Sequence, residues 1–338
     1  MHFGSGFYLK DNLHEKLPSD ERHKTQMKKR ILSIDGGGIK GVFPASFLSS
    51  IEEVVDGKVA DYFDLIVGTS TGGIIALGLG LGFSAKEILE FYEKYGAGIF
   101  KGNRFFKVFR HAALAKYNNT ALKKALEETF GDRKLGESLT RLAIPSFNIE
   151  TGEVHIYKTA HNERFVRDYS EPVVSVALAT SAAPTFFPTH TTSAGQPLID
   201  GGVWANNPIG LAVVEAVGVL GWKKDEIEVL SVGCTTESLD VRRGRTIGLG
   251  WLYWGPKLAD IFMASQSSAS AGTASVLIGH ENIHRISPNV ANGKFGLDVT
   301  KEINYLKGLG VSEARKQFPL IQDLFSEKVE RFVPNRSV

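Results

Sequence analysis

Ser70 stands in Gly68-Thr69-Ser70-Thr71-Gly72, a Gly-x-Ser-x-Gly pattern between an apolar, β-branched run and an apolar run of helical character. A serine on such a strand-to-helix turn presents its hydroxyl at the end of a sheet, as an acyl-transfer nucleophile must be presented. Side chains at Gly68 and Gly72 would collide with strand and helix. The turn also sets Ser70 at a helix N-terminus, where free N–H groups favour negative charge. Gly36-Gly37-Gly38, closed by Gly41, is a second glycine turn after an apolar run. Its successive N–H groups form an anion-binding nest, and beside Ser70 they would make an oxyanion hole. Asp200 opens Asp200-Gly201-Gly202. Its glycines let the carboxylate approach another backbone, so Asp200 could take the Ser70 proton directly. A triad would need a histidine. Of the nine, none sits in a glycine turn after a core strand; His190, just before the Asp200 segment, is the nearest by context. The residues therefore point to a Ser70–Asp200 dyad.

These residues need a scaffold that brings three turns together. Residues 30–35 read as a first core strand, followed by the glycine turn and a helix over 43–55. Residues 62–81 repeat strand, glycine turn and helix. Two such units predict a parallel sheet covered by helices, with both turns at its carboxyl edge. Downstream, helices are expected from Ser84 to 95, with Ser84 and Glu87 as a capping box, and over 119–130. A hairpin is expected at 142–148 and 153–157. A small-residue helix follows at 173–181, packing behind the site, and then a bent aromatic loop, Ala183-Pro184-Thr185-Phe186-Phe187-Pro188. A short run into Asp200, a helix from Pro208 to about 219, a core strand at 228–232 and an amphipathic helical stretch at 302–332 complete the chain. With no repeat or clear linker, it reads as an N-terminal arm (1–29) and one domain (30–338). The motifs occupy 30–232 and a helical part 233–338.

The 338 residues are 43% hydrophobic and 22% charged with net charge +2, an ordinary globular balance that gives no global case for a nucleic acid polymer as partner. The single cysteine, Cys234, excludes an intrachain disulfide and reads as a structural thiol after a buried strand. No apolar run is long enough to span a bilayer, and the polar first thirty residues do not read as a signal peptide. No ligand spacing for a metal is present.

Asp35-Gly36-Gly37-Gly38-Ile39-Lys40-Gly41, Gly68-Thr69-Ser70-Thr71-Gly72 and Asp200-Gly201-Gly202, in that order, resemble the three signatures of the patatin-like phospholipases. Ala183 to Pro188 resembles the family's Ala-Pro-x-x-Phe-x-Pro segment. The resemblance implies a three-layer α/β/α fold with a mainly parallel sheet. It also implies a phospholipase A type acyl hydrolase with Ser70 as nucleophile, Asp200 as base and Gly36, Gly37 and Gly38 as oxyanion hole. In length and opening the chain is similar to the bacterial phospholipases of antiphage signalling that a cyclic dinucleotide switches on. That similarity implies an activator such as 3′,3′-cGAMP, a membrane phospholipid substrate, a homo-oligomer, and action at the inner face of the cell membrane from the cytoplasm.

Other readings compete. Gly36-Gly37-Gly38-Ile39-Lys40-Gly41 literally fits the dinucleotide-binding Gly-x-Gly-x-x-Gly, but the second strand ends in Gly-Thr-Ser where that reading wants an acid. A constitutive esterase on other acyl esters, or a non-catalytic lipid- or nucleotide-binding scaffold, would keep the same fold. Residues 101–116 interleave Lys101, Arg104, Lys107 and Arg110 with phenylalanines, as a core helix with a basic face or a lid at a lipid surface would. Arg242-Arg243-Gly244-Arg245 suits a solvated loop or an anion site.

Overall fold

A computed structural model describes residues 28–101, 115–237, 254, 257–290 and 296–338. The apolar run Lys29–Ile34 forms β1, and a glycine turn leads from it into helix α1 (Val42–Glu52). Leu65–Gly68 forms β2, and α2 (Thr71–Gly80) starts directly after Ser70. Every residue of α2 is buried, as expected of a helix that is apolar on all sides. Helix α3 (Ala85–Ile99) begins on the expected capping box: the Ser84 hydroxyl accepts the Glu87 N–H at 3.1 Å and the Glu87 carboxylate accepts the Ser84 N–H at 2.7 Å. Then come α4 (Thr120–Phe130), the hairpin β3 (Arg141–Asn148) and β4 (Glu153–Lys158), and α5 (Val173–Thr180). The chain continues through β5 (His190–Thr191), β6 (Pro197–Asp200), the single turn α6 (Gly202–Ala205), α7 (Ile209–Gly218) and β7 (Ile227–Val232). Last come β8 (Thr236–Glu237), α8 (Leu258–Ile278), β9 (Ile283–Ile286), β10 (Asn289–Val290) and α9 (Ile303–Ile321).

Among the described residues one sheet runs β5-β6-β3-β2-β1-β7-β9, with β4 on the free edge of β3. Strands β9, β7, β1, β2 and β3 are mutually parallel. Alternate residues face opposite sides. Leu32, Ile34, Ile66, Leu142 and Leu230 share a core with α1 to α5 and α9, while Ile31, Leu65, Val67, Ala143 and Val229 share another with α7 and α8. This is the expected α/β/α layering. Strand β9 was not expected: 233–338 read as a helical part with no strand in it, yet Ile283–Ile286 extends the sheet beside β7.

The register positions the chemistry. Along one edge of β3, β2 pairs in parallel with residues 141–143 and β6 antiparallel with residues 146–148. The two strands thus run toward each other and stop on either side of Pro145. Proline has no N–H to leave unpaired in that gap, and its carbonyl accepts the Thr180 hydroxyl at 2.6 Å. Ser70 follows the end of β2 and Asp200 is the last residue of β6, so the two meet over this gap.

Candidate active site

Ser70 has φ 55° and ψ −121°, a conformation that L-residues rarely adopt and that a strained elbow imposes. Its carbonyl opens α2 by accepting the Ile74 N–H at 3.0 Å, and its own N–H donates to the Thr180 hydroxyl at 3.1 Å. Thr69 ties the elbow to the turn after Asp200 by donating its hydroxyl to the Ala205 carbonyl at 2.6 Å. The elbow's glycines are required by contact rather than by φ. A Cβ on Gly68 would lie 2.1 Å from the Gly72 carbonyl oxygen, and one on Gly72 would lie 2.3 Å from that of Ile34. Gly41 is pressed in the same way on Thr71, and Gly201 on the Pro145 carbonyl.

Asp200 is 5% exposed and accepts the Gly202 N–H at 2.7 Å, and the Ser70 hydroxyl beside it also favours the ionised carboxylate. Burial pushes its carboxyl from the usual 3.8 up to about 6, against the pull of those two donors. A carboxylate with that affinity for a proton can receive one from a serine hydroxyl and return it near neutral pH.

The glycine turn lies alongside. Gly36 donates its N–H to the Asn206 carbonyl at 2.9 Å, so that donor is already used. This corrects the expectation of three donors. Gly37 and Gly38 face the cavity that holds Ser70 and Asp200, and among the described residues neither N–H has a backbone acceptor. The cavity has a volume of about 530 Å³. Its walls are apolar, built from Ile74, Phe91, Ile99, Phe100, Leu122 and Phe187, and its described lining contains no histidine. Polar groups thus open onto an apolar cavity, which suits an acyl ester with its chain inside it.

A family model described as patatin-like phospholipase matches residues 32–213 of this chain. The chain belongs to the patatin-like phospholipase family. Two relatives named cGAMP-activated phospholipase, from Vibrio cholerae and Pseudomonas aeruginosa, are 39% and 35% identical to it. The alignment with the first covers 70% of this chain and 73% of the relative; with the second it covers 71% and 72%. Patatin-like protein 2 of Arabidopsis thaliana is 36% identical over 55% of this chain and 52% of its own. As a patatin-like phospholipase the chain is a hydrolase of lipid esters.

Within this patatin-like fold, the remaining expectations fall into place unevenly. His190 sits on β5 with its Nε2 2.8 Å from the Ser175 hydroxyl, and it does not line the catalytic cavity. Thr180, at the end of the small-residue helix, braces both turns: its hydroxyl accepts the Ser70 N–H and its carbonyl accepts the Gly201 N–H at 3.3 Å. The sequence reading placed the helix behind the site but did not single out Thr180 or Asn206, since neither belongs to a motif. Cys234 is buried against Gly37, where a Cβ would come within 2.4 Å of its own, and burial pushes its thiol up to about 12. That is a packing role. Of the aromatic-basic stretch, residues 102–114 lie outside the described residues, as do the arginines 242–245 and the arm up to residue 27. Among the described residues no helix is long and apolar enough to cross a membrane.

Proposed function

We propose that this protein is a phospholipase A type acyl hydrolase working through a Ser70–Asp200 dyad, with Gly37 and Gly38 as oxyanion-hole donors, and that a cyclic dinucleotide controls it. The observation that carries the proposal is the buried Asp200 carboxylate, its proton affinity raised by burial, lining one apolar cavity together with Ser70. The ester carbonyl oxygen settles toward the Gly37 and Gly38 N–H groups. Ser70 Oγ attacks the carbonyl carbon while its proton moves to Asp200. The tetrahedral oxyanion is held by the two N–H groups, whose orientation is fixed before charge develops. On collapse the lysophospholipid oxygen leaves and takes the proton back from Asp200. Water then attacks the acyl-enzyme, gives its proton to Asp200, and the fatty acid departs as Ser70 recovers that proton. Phospholipid in a bilayer is the substrate, reached from the membrane surface.

Control by a nucleotide is supported by the names of the Vibrio cholerae and Pseudomonas aeruginosa relatives, and such control fits an antiphage role in which the enzyme degrades the host's own membrane. The test is fatty-acid release from phospholipid vesicles by wild type and by Ser70→Ala, with and without 3′,3′-cGAMP and other cyclic dinucleotides. Release is expected to need Ser70 and one nucleotide. Release by folded Ser70→Ala would sink the dyad; Ser70-dependent release that ignores every nucleotide would remove the control.

A further inference from the structure

Residues 283–290 and 296–299 lie beyond the span matched by the family model, yet Arg285 and Leu297 among them hold the glycine turn at both ends. On β9, Arg285 forks onto Asp35, the residue directly before the turn. Its Nη1 donates to Oδ1 at 2.8 Å and its Nη2 to Oδ2. The same Nη1 donates to the Ser231 hydroxyl at 2.8 Å, so β7 and β1 are tied to the guanidinium together. At the other end, the Leu297 carbonyl accepts the Ile39 N–H at 2.9 Å. It lies so close to Gly38 that a Cβ there would be 2.3 Å from its oxygen. Asp298 anchors this segment: it accepts the Lys116 ammonium and, at 2.5 Å, the Tyr117 hydroxyl. The N–H groups of Lys116 and Tyr117 in turn donate to the carbonyls of Thr185 and Phe186 in the cavity wall, each at 2.8 Å.

A turn of three glycines has more conformational freedom than any other sequence of its length. An oxyanion hole, by contrast, works only if its donors are fixed before the reaction begins. Local sequence cannot supply that rigidity here. The turn is fixed from outside instead: Asp35 by Arg285, Gly36 by Asn206 and Ile39 by Leu297. Gly37 and Gly38, between these anchors, line the cavity, and among the described residues neither N–H has a backbone acceptor.

We infer that Arg285 and Asp298 are positioning residues for the oxyanion hole, acting through Asp35 and through the Leu297 carbonyl. The inference rests on the dyad reading above. Arg285→Lys keeps the charge but replaces a planar fork by a single ammonium, and Asp298→Asn keeps the shape but removes the charge. Both variants would be followed, with 3′,3′-cGAMP present, by the rate at which a fluorophosphonate labels Ser70, by kcat and KM on p-nitrophenyl butyrate, and by thermal melting. Each is expected to lose about 10-fold or more in kcat and in labelling rate, a part of what loss of an oxyanion donor costs. KM should stay within about two-fold, because the ground-state carbonyl gains little from the hole. Asp298→Asn, remote from the buried Asp35 pair, carries the prediction should Arg285→Lys melt below the assay temperature. Folded variants that label and turn over at the wild-type rate would overturn the inference. So would an effect confined to KM. Ser70→Ala separates the two readings: labelling that survives Ser70→Ala removes the dyad itself. Labelling that vanishes there but stays at the wild-type rate in Arg285→Lys and Asp298→Asn removes only the positioning role.

Discussion

Replacing Asp200 by asparagine should destroy activity and stabilise the protein, and the second effect should depend on pH. Burial raises the Asp200 carboxyl from 3.8 to about 6. The folded protein therefore holds this proton more tightly than the unfolded chain does. Stability is greatest while the group is neutral in the fold, and it falls as pH rises between about 4 and 6. At 1.36 kcal/mol for each tenfold change in proton affinity, the ionised carboxylate costs the fold about 3 kcal/mol above pH 6. Asparagine matches the shape, accepts the Gly202 N–H through Oδ1 and carries no charge. In urea unfolding, Asp200→Asn should exceed wild type by about 2–3 kcal/mol at pH 8 and by less than about 1 kcal/mol at pH 4. For a chain of this size that is a rise in Tm of about 5 °C at pH 8. Loss of the base should lower kcat by about 10²–10⁴-fold. In wild type, kcat/KM on a neutral ester should climb about tenfold from pH 5 to a plateau above pH 6–7, as Asp200 gives up its proton. An advantage equal at both pH values, a less stable variant at pH 8, or a flat profile from pH 5 to 7 would refute the claim that Asp200 is a buried, ionised base.

Two further outcomes follow from other parts of the fold. Glu215 is buried, which alone would raise its carboxyl, but hydrogen bonds from His161 at 2.9 Å and Lys158 at 2.6 Å outweigh burial and hold it below the usual range. Its contribution to stability is therefore present above pH 4.5 and lost as pH falls through its folded value. Glu215→Gln, which strands the Lys158 charge, should cost about 3–5 kcal/mol at pH 7 in urea unfolding, with the gap to wild type narrowing below pH 4.5. In the cavity, Ile99→Trp adds bulk to the apolar wall. It should raise the ratio of p-nitrophenyl butyrate to dodecanoate hydrolysis about tenfold or more, and an unchanged ratio would show that the acyl chain lies elsewhere.

The parts of this protein that its sequence made legible are those with a local physical cause. Gly68-Thr69-Ser70-Thr71-Gly72 reads as an elbow because the glycines, the apolar strand before them and the apolar helix after them are contiguous. The same holds for the turn after β1, for the capping box of α3 and for the hairpin of β3 and β4. The run Ile283-His284-Arg285-Ile286 carries only two apolar residues in four, too few to read as a core strand even between Asn282 and Ser287-Pro288. It becomes a strand because β7 offers it a parallel edge about fifty residues away in the chain. The count of oxyanion donors failed for a similar reason. All three glycines look alike in sequence, and only the fold shows that the Asn206 carbonyl has taken the N–H of Gly36.

Hydrogen-bond connectivity alone would point to a different group from the dyad proposed above. The Thr159 hydroxyl is 2.8 Å from His161 Nδ1, and His161 Nε2 is 2.9 Å from a Glu215 carboxylate oxygen, the bonding order of a hydroxyl–imidazole–carboxylate triad. Yet Thr159 is fully buried and also accepts the Leu142 N–H at 3.0 Å, and neither Thr159 nor His161 lines the catalytic cavity. Its acid is further neutralised by Lys158, which leaves the imidazole little reason to become a stronger base. Ser70 and Asp200 have fewer bonds between them and more chemistry. Their carboxylate is held by two donors and no cation, so burial keeps its proton affinity high. Their hydroxyl sits on a strained elbow and shares an apolar cavity with Gly37 and Gly38. What separates the proposed dyad from the Thr159–His161–Glu215 chain is access to the cavity together with a charge left incompletely compensated. The gap at Pro145, where β2 and β6 stop short of each other, provides both at one place.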